Sequence, residues 1–127
     1  MILVDTSIIV EYWKNPKREY TDVFITQDIA ICGIVQAELI YGARSNKEVE
    51  KIISALECFN FIDIDKEDWN GIGKFLHKLR IKGVKIPFQD AIIAYLAVKN
   101  NIPLWTRDKH FELIRDVIKE LKVYKPI

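Results

Sequence analysis

Short runs of branched hydrophobic residues alternate along this chain with longer segments whose apolar residues recur at helical spacing. The short runs predict β-strands at Ile2–Val4, Ile29–Cys32, Phe59–Ile64, Pro103–Thr106 and Leu121–Tyr124. The longer segments predict a short helix that Thr6 or Ser7 caps and that runs toward Trp13. They also predict helices over Arg18–Ile25, Ile34–Ala43, Lys47–Glu57 with Asn46 as its cap, Lys66–Ile81, Phe88–Lys99 and Lys109–Ile118. Strands that alternate with helices in this way indicate a three-layer α/β fold around a mainly parallel sheet.

Three acidic residues stand alone in the apolar segments of this pattern. Asp5, Glu38 and Asp90 are each the only charged side chain in Met1–Val10, Ile29–Ala43 and Ile86–Val98, respectively. Burying a carboxylate without a partner costs several kcal/mol, and none of these segments contains a basic residue that could compensate it. A bound cation is therefore the expected compensator if the three acids converge.

The predicted topology gives these acids a place to meet. Ligand sites of open α/β sheets lie beyond the carboxyl ends of the strands. Asp5 directly follows the first strand, and Asp108 follows the strand that ends at Thr106. Asp90 and Glu38 lie near the beginnings of their helices. All four side chains are therefore expected at one edge of the sheet.

A cluster of carboxylates restricts the chemistry. Oxygen ligands favour Mg²⁺ or Mn²⁺ over zinc, and Mg²⁺ usually shares its shell with substrate phosphates. Such ions promote phosphodiester hydrolysis by activating water and by neutralising charge on the phosphate.

Composition adds few constraints. The 127 residues are expected to form a single domain, residues 1–127, and the net charge of +1 neither indicates nor excludes a nucleic-acid partner. No apolar run reaches the roughly 18 residues of a membrane span, and the first residues do not have the pattern of a signal peptide, so a cytoplasmic location is expected. Cys32 and Cys58 lie among apolar residues and are expected to be buried thiols rather than zinc ligands.

Four segments in this order, VDTSII, VQAELIYGA, FQDAIIAYLA and LWTRDKHF, resemble the PIN-domain ribonucleases, with the greatest similarity to the VapC-type toxins of toxin–antitoxin pairs. The resemblance implies that Asp5, Glu38, Asp90 and Asp108 bind Mg²⁺ or Mn²⁺ and activate water for RNA cleavage. It also implies supporting roles for the hydroxyl residues Thr6 and Thr106. A homodimer and a small antitoxin that covers the active site are further expectations. This chain departs from the pattern at His110, where many relatives have an acid.

Several of these residues also have simpler interpretations. Asp5 could be only a helix N-cap, Asp90 could only favour the dipole of its helix, and Asp108 lies between two basic residues like an ordinary loop acid. Single histidines and scattered basic residues are usually structural or solvated, which is the expectation for His77, His110, Arg44, Arg107 and Lys109.

Two other functions compete with the nuclease hypothesis. A phospho-acceptor receiver domain also has a parallel sheet and an acidic magnesium pocket, but it needs two adjacent acids after its first strand. Here Thr6 follows Asp5, and Glu38 lies inside a predicted helix. A catalytically inactive binding domain is disfavoured because idle buried charges would be destabilising.

Overall fold

The computed structural model describes residues 1–126, and four short parallel strands form its centre. The strands are β1 (Ile2–Val4), β2 (Ile29–Cys32), β3 (Asn60–Ile62) and β4 (Leu104–Trp105). The strand order is β3-β2-β1-β4, so the first strand of the chain lies in the interior of the sheet. All residues of β1, β2 and β4 are buried, as expected for a parallel sheet covered on both faces.

Helices connect the strands and flank the sheet, so the predicted α/β architecture is confirmed. The helices are α1 (Thr6–Lys14), α2 (Arg18–Thr26), α3 (Gly33–Tyr41), α4 (Asn46–Leu56), α5 (Asp68–Ile81), α6 (Phe88–Lys99) and α7 (His110–Val117). The helix α3 packs against α1, α4 and α6, while α5 and α6 form a packed pair.

Three details of the predicted elements are wrong. The segment Leu121–Tyr124 makes only a single parallel bridge, between Val123 and Leu104, because β4 has just two residues to pair with. The cap of α4 is Ser45 rather than Asn46, since the Ser45 hydroxyl accepts the hydrogen bond from the backbone N–H of Glu48 at 3.1 Å. Cys58 is exposed, whereas Cys32 is buried as expected.

The hydrophobic core lies on both faces of the sheet and includes aromatic side chains from distant parts of the chain. Trp105 of β4 is 2% exposed and packs edge-on against Tyr20 of α2 and Tyr124. Trp13 and Trp69, by contrast, are 41% and 50% exposed. Within residues 1–126, none of the helices has both the length and the apolar character that crossing a bilayer requires.

Candidate active site

The carboxyl ends of β1 and β4 meet side by side and bring Asp5 next to Thr106. The backbone N–H of Asp5 donates to the carbonyl oxygen of Trp105 at 3.2 Å, which aligns the two strand ends. The Thr106 hydroxyl then donates to one oxygen of the Asp5 carboxylate. The Ser7 hydroxyl donates to the other oxygen at 2.6 Å. Residues about 100 positions apart in the chain thus hold the same carboxylate in place.

Asp5 is also the N-cap of α1, because its carboxylate accepts the backbone N–H of Ile8 at 3.4 Å. The expectation that Thr6 or Ser7 caps this helix is therefore wrong. Asp5 is only 6% exposed and has no basic partner at salt-bridge distance anywhere in residues 1–126. Desolvation raises the pKa of its carboxyl group, and the negative charge of Asp108 adds to this effect, although hydrogen bonds from Ser7 and Thr106 oppose it.

The loop after β4 is tied to the same place by two further hydrogen bonds. The Thr106 hydroxyl accepts the backbone N–H of Asp108 at 2.9 Å, while it donates to Asp5. The Ser7 hydroxyl accepts the backbone N–H of Arg107 at 3.1 Å. Because these hydroxyl groups bridge the two strand ends, Asp108 is held in a defined position beside Asp5.

Asp90 and Asp108 are joined by a histidine. The Nδ1 atom of His110 lies 3.1 Å from Asp90 Oδ2 and 3.3 Å from Asp108 Oδ1. The backbone N–H of His110 also donates to Asp108 Oδ1 at 2.9 Å. Desolvation raises the pKa of the Asp90 carboxyl group; the hydrogen bond from His110 opposes this, and the charges of Asp108 and Glu38 reinforce it.

Glu38 of α3 lies beside the first turn of α1, at the edge of the cluster formed by Asp5, Asp90 and Asp108. Its Oε1 atom accepts a hydrogen bond of 3.0 Å from the Thr6 hydroxyl at the first position of α1. Unlike Asp5, Glu38 is exposed, although its segment is apolar. The reason is geometric, since α3 turns this position outward to the rim while its Val35 and Leu39 face the core.

The acidic side chains described above line one open pocket with a volume of about 440 Å³. Asp5, Glu38, Asp90 and Asp108 all line it, together with Thr6. Thr106 touches this group through its hydrogen bond to Asp5. All the acids and hydroxyl residues singled out in the sequence thus lie within one site.

The donor atoms in this pocket suit a divalent cation. Single ligand atoms of Asp90, Asp108 and His110 all lie within 4.8 Å of one another. The Asp5 and Glu38 carboxylates line the same pocket and provide further oxygen ligands. A set dominated by carboxylate oxygens matches Mg²⁺ or Mn²⁺, and one imidazole nitrogen is also compatible with Mn²⁺.

Two features of the site were missed from the sequence. His110 was expected to be structural, yet it contacts two of the acids. The signal in the sequence was its place in the last motif, two residues after Asp108, where many relatives have an acid. Arg107 is exposed, as expected, but it also lines the pocket and forms a 3.0 Å ion pair with Glu11, which was not expected. The sequence gave no signal for that ion pair, because it joins residues 96 positions apart in the chain.

The chain belongs to the PIN-domain family, because the sequence profile of that family matches residues 2–117. Ribonuclease VapC1 of Methanocaldococcus jannaschii is 33% identical over 124 residues, which cover 97% of this chain and 86% of that protein. Ribonuclease VapC2 of Rickettsia felis is 32% identical over 127 residues, with coverage of 93% and 95%. The crystal structure of VapBC2 from Rickettsia felis, bound to a DNA fragment from its promoter, superimposes with a TM-score of 0.82 at 25% identity and covers 100% of both chains.

Proposed function

We propose that this protein is a metal-dependent endoribonuclease, a single PIN domain that acts in the cytoplasm as the toxin of a toxin–antitoxin pair. The observation that supports it most is the convergence of Asp5, Glu38, Asp90 and Asp108, from four separate parts of the chain, on one pocket. Two relatives of about one-third identity that align along nearly the whole chain are named ribonucleases, which supports RNA as the substrate.

In this proposal Asp5, Glu38, Asp90 and Asp108 hold Mg²⁺ or Mn²⁺. The cation, when bound, activates water and neutralises the charge that develops on the phosphate. Ser7 and Thr106 fix the orientation of the Asp5 carboxylate by donating hydrogen bonds to its two oxygens. This arrangement leaves Asp5 ready to bind a cation without reorganisation of its side chain.

Thr6 has the same function for Glu38, because its hydroxyl donates to Oε1 of that carboxylate. The Nδ1 atom of His110 lies 3.1 Å from Asp90 and 3.3 Å from Asp108 and thereby bridges the two carboxylates. The supporting residues thus position four acids that would otherwise repel one another.

The proposed partners follow from the solved relatives. The structure of Rickettsia felis VapBC2 is bound to promoter DNA, and a toxin–antitoxin complex from Klebsiella pneumoniae contains a chain of similar fold. We infer that this chain forms a homodimer and binds a cognate antitoxin that covers the acid-lined pocket. The receiver alternative finds no support, since Glu38 lies in the pocket, where a phospho-acceptor domain has no use for a helix-borne glutamate.

The test is cleavage of single-stranded RNA by the purified protein across a titration of Mg²⁺ and Mn²⁺. Cleavage is expected to require the metal, to stop on chelation with EDTA and to be lost in Asp90→Asn. The matched control is Asp116→Asn, which neutralises an exposed aspartate on α7 and is expected to cleave like the wild type. Cleavage that survives full chelation, or an active Asp90→Asn variant, contradicts the proposal.

A further inference from the structure

The pocket that contains the four acids, here called the acid pocket, continues into a second cavity on either side. The first, the α1 pocket, has a volume of about 360 Å³ and shares Thr6, Val10 and Glu38 with the acid pocket. The second, the β4 pocket, has a volume of about 290 Å³ and shares Arg107 and Asp108 with it. Because the acid pocket shares wall residues with each of the other two cavities, the three adjoin one another and are here treated as one depression with the acids in the middle.

One face of α1 forms the wall that leads out of the acid pocket. Thr6, Val10, Trp13 and Lys14 all line the α1 pocket and are spaced i, i+4, i+7 and i+8, which places them on the same side of the helix. The distance along the helix axis from Thr6 to Lys14 is about 12 Å at 1.5 Å per residue. That length corresponds to several nucleotides of a stacked strand at about 3.4 Å each.

The two end pockets contain more unpaired cations than the acid pocket does, although each is also lined by one glutamate that the acid pocket lacks, Glu48 in the α1 pocket and Glu112 in the β4 pocket. Lys14 and Arg44 line the α1 pocket, and Lys109 and Lys125 line the β4 pocket. All four are exposed, and within residues 1–126 none has a carboxylate at salt-bridge distance. The acid pocket between them contains a single basic residue, Arg107, which is already paired with Glu11.

An aromatic ring stands at the α1 end. Trp13 is 41% exposed and lines the α1 pocket beside Lys14 and Arg44. An exposed indole next to unpaired cations is the combination that single-stranded nucleic acids bind, because a base stacks on the ring while the cations contact the adjacent phosphates.

We propose that the substrate RNA strand lies along all three cavities. The nucleotides on one side of the cleaved bond lie in the α1 pocket, and those on the other side lie in the β4 pocket. This inference rests on the proposed nuclease function. A base on one side of the cut stacks on Trp13, and its neighbouring phosphates contact Lys14 and Arg44. Phosphates on the other side contact Lys109 and Lys125. Arg44 and Lys109, expected from the sequence to be solvated surface, are thereby assigned to substrate binding.

The test compares two double variants, Lys14→Gln with Arg44→Gln and Lys109→Gln with Lys125→Gln, on an RNA that the wild type cuts at one site. Each pair is expected to raise KM with little change in kcat, and to reduce the slope of log(kcat/KM) against log(salt) by about 1.4, since each lost contact to a single strand contributes about 0.7. The control pair is Lys47→Gln with Lys51→Gln, which removes the same charge from exposed positions of α4 outside the three pockets.

Trp13 is tested separately from the charges. Trp13→Ala is expected to lower kcat/KM about tenfold, which is the loss of one stacked base, and Trp13→Phe is expected to restore most of it. Trp69→Ala is the matched control, because Trp69 is similarly exposed but lines none of the three pockets.

Trimming the RNA on one side of the cut gives the decisive comparison. The α1-end variants are expected to lose their effect when one flank is removed, and the β4-end variants when the other flank is removed. A trimmed RNA that is no longer cut at all also supports the proposal, because a site confined to the acid pocket would not sense the missing nucleotides.

Three outcomes overturn it. The first is a wild-type protein that cuts RNA while all end variants keep its kcat/KM and salt slope. The second is an equal loss in the Lys47 and Lys51 control. The third is an α1-end variant that binds a protein partner more weakly but cuts RNA normally, which assigns that pocket to a protein instead. A wild type that cuts no RNA in any metal refutes the nuclease function itself and is distinguishable from all three.

Discussion

Two glycines in the same helix give opposite predictions for one substitution. A Cβ atom added at Gly71 of α5 would lie 2.3 Å from the hydroxyl oxygen of Tyr95 on α6, and 2.8 Å from two of its ring carbons. A Cβ atom added at Gly73, one half-turn further along, would meet nothing within 4 Å. Gly71 is therefore the residue that lets α5 and α6 approach each other, while Gly73 only lowers the helix propensity.

The magnitudes follow from these contacts. Replacing a glycine in a helix interior with alanine gains about 1 kcal/mol, and Gly73→Ala is expected to stabilise the protein by that amount. Gly71→Ala gains the same propensity but forces Tyr95 to move, and overpacking of this kind costs about 1–3 kcal/mol. The displaced Tyr95 also loses the hydrogen bond of 3.1 Å that it donates to Asp68. We expect Gly71→Ala to be less stable than Gly73→Ala by about 2–3 kcal/mol.

The assay is urea unfolding of both variants followed by far-UV circular dichroism, with equal m-values as the sign that only stability has changed. In a thermal scan the same difference corresponds to roughly 8–10 °C for a chain of this length. The double variant Gly71→Ala with Tyr95→Phe removes the closest atom and is expected to recover part of the loss. If Gly71→Ala is as stable as Gly73→Ala, the close approach of α5 and α6 described above is wrong.

Three further predictions concern the charged groups. In EDTA, the stability contributed by Asp5 and Asp90 is present below the ordinary carboxyl pKa of about 3.9 and is lost as pH rises through their raised pKa values. Thermal unfolding should therefore show the wild type losing stability relative to Asp90→Asn as pH rises from about 3.9 through the raised pKa of Asp90. A difference in melting temperature that stays constant with pH would contradict this prediction. His110→Ala removes a hydrogen bond that lowers the pKa of Asp90, so the pH at which Mg²⁺ begins to raise the melting temperature should move upward, and an unchanged onset would exclude this role. Lys99→Met removes the main cause of the lowered pKa of Asp68. The variant should therefore destabilise the protein most at neutral pH and progressively less as pH falls through the titration of Asp68, with Lys99→Arg as the conservative control. A loss of stability that is independent of pH would argue against the ion pair.

The strands and helices were predictable because each is encoded locally. The buried runs Ile2–Val4 and Ile29–Cys32 contain only apolar residues, and the apolar residues of α4 follow a helical period. The ends were less predictable. The pairing of Val123 depends on the two-residue length of β4. The choice among Asp5, Thr6 and Ser7 as the cap of α1 depends on backbone angles that sequence neighbours do not determine.

The acids of the site were recognisable because each stands alone in an apolar segment, whereas their contacts were not. The hydrogen bond from Thr106 to Asp5 spans 101 positions, and the contact of His110 with Asp90 joins the beginning of α7 to α6. Such pairs depend on how the sheet places the ends of its strands. A single sequence does not show which strand ends become neighbours.

The criterion that an acid stands alone in an apolar segment did not identify one buried acid, Asp68. Asp68 lies in the polar stretch KEDW and reads as an ordinary surface residue, yet it is 2% exposed. Its carboxylate forms a 2.7 Å ion pair with Lys99, accepts the hydroxyl of Tyr95 and accepts the backbone N–H of Asp65. The i, i+4 spacing of Tyr95 and Lys99 on one face of α6 is the only signal that could have suggested a partner for an acid there.

Asp5 and Asp68 are the two buried charged residues of the described chain, and they separate a reactive carboxylate from a structural one. The ammonium group of Lys99 lowers the pKa of Asp68, so this acid is compensated by the protein itself and has no need of a ligand. Asp5 has only hydroxyl and amide donors, and other carboxylates line its pocket, so burial raises its pKa instead. Burial alone therefore does not identify a metal ligand in this fold. What distinguishes Asp5 is that no basic side chain within residues 1–126 compensates its charge. A divalent ion that binds beside Asp5 supplies this missing positive charge, and its binding is therefore strongly favourable.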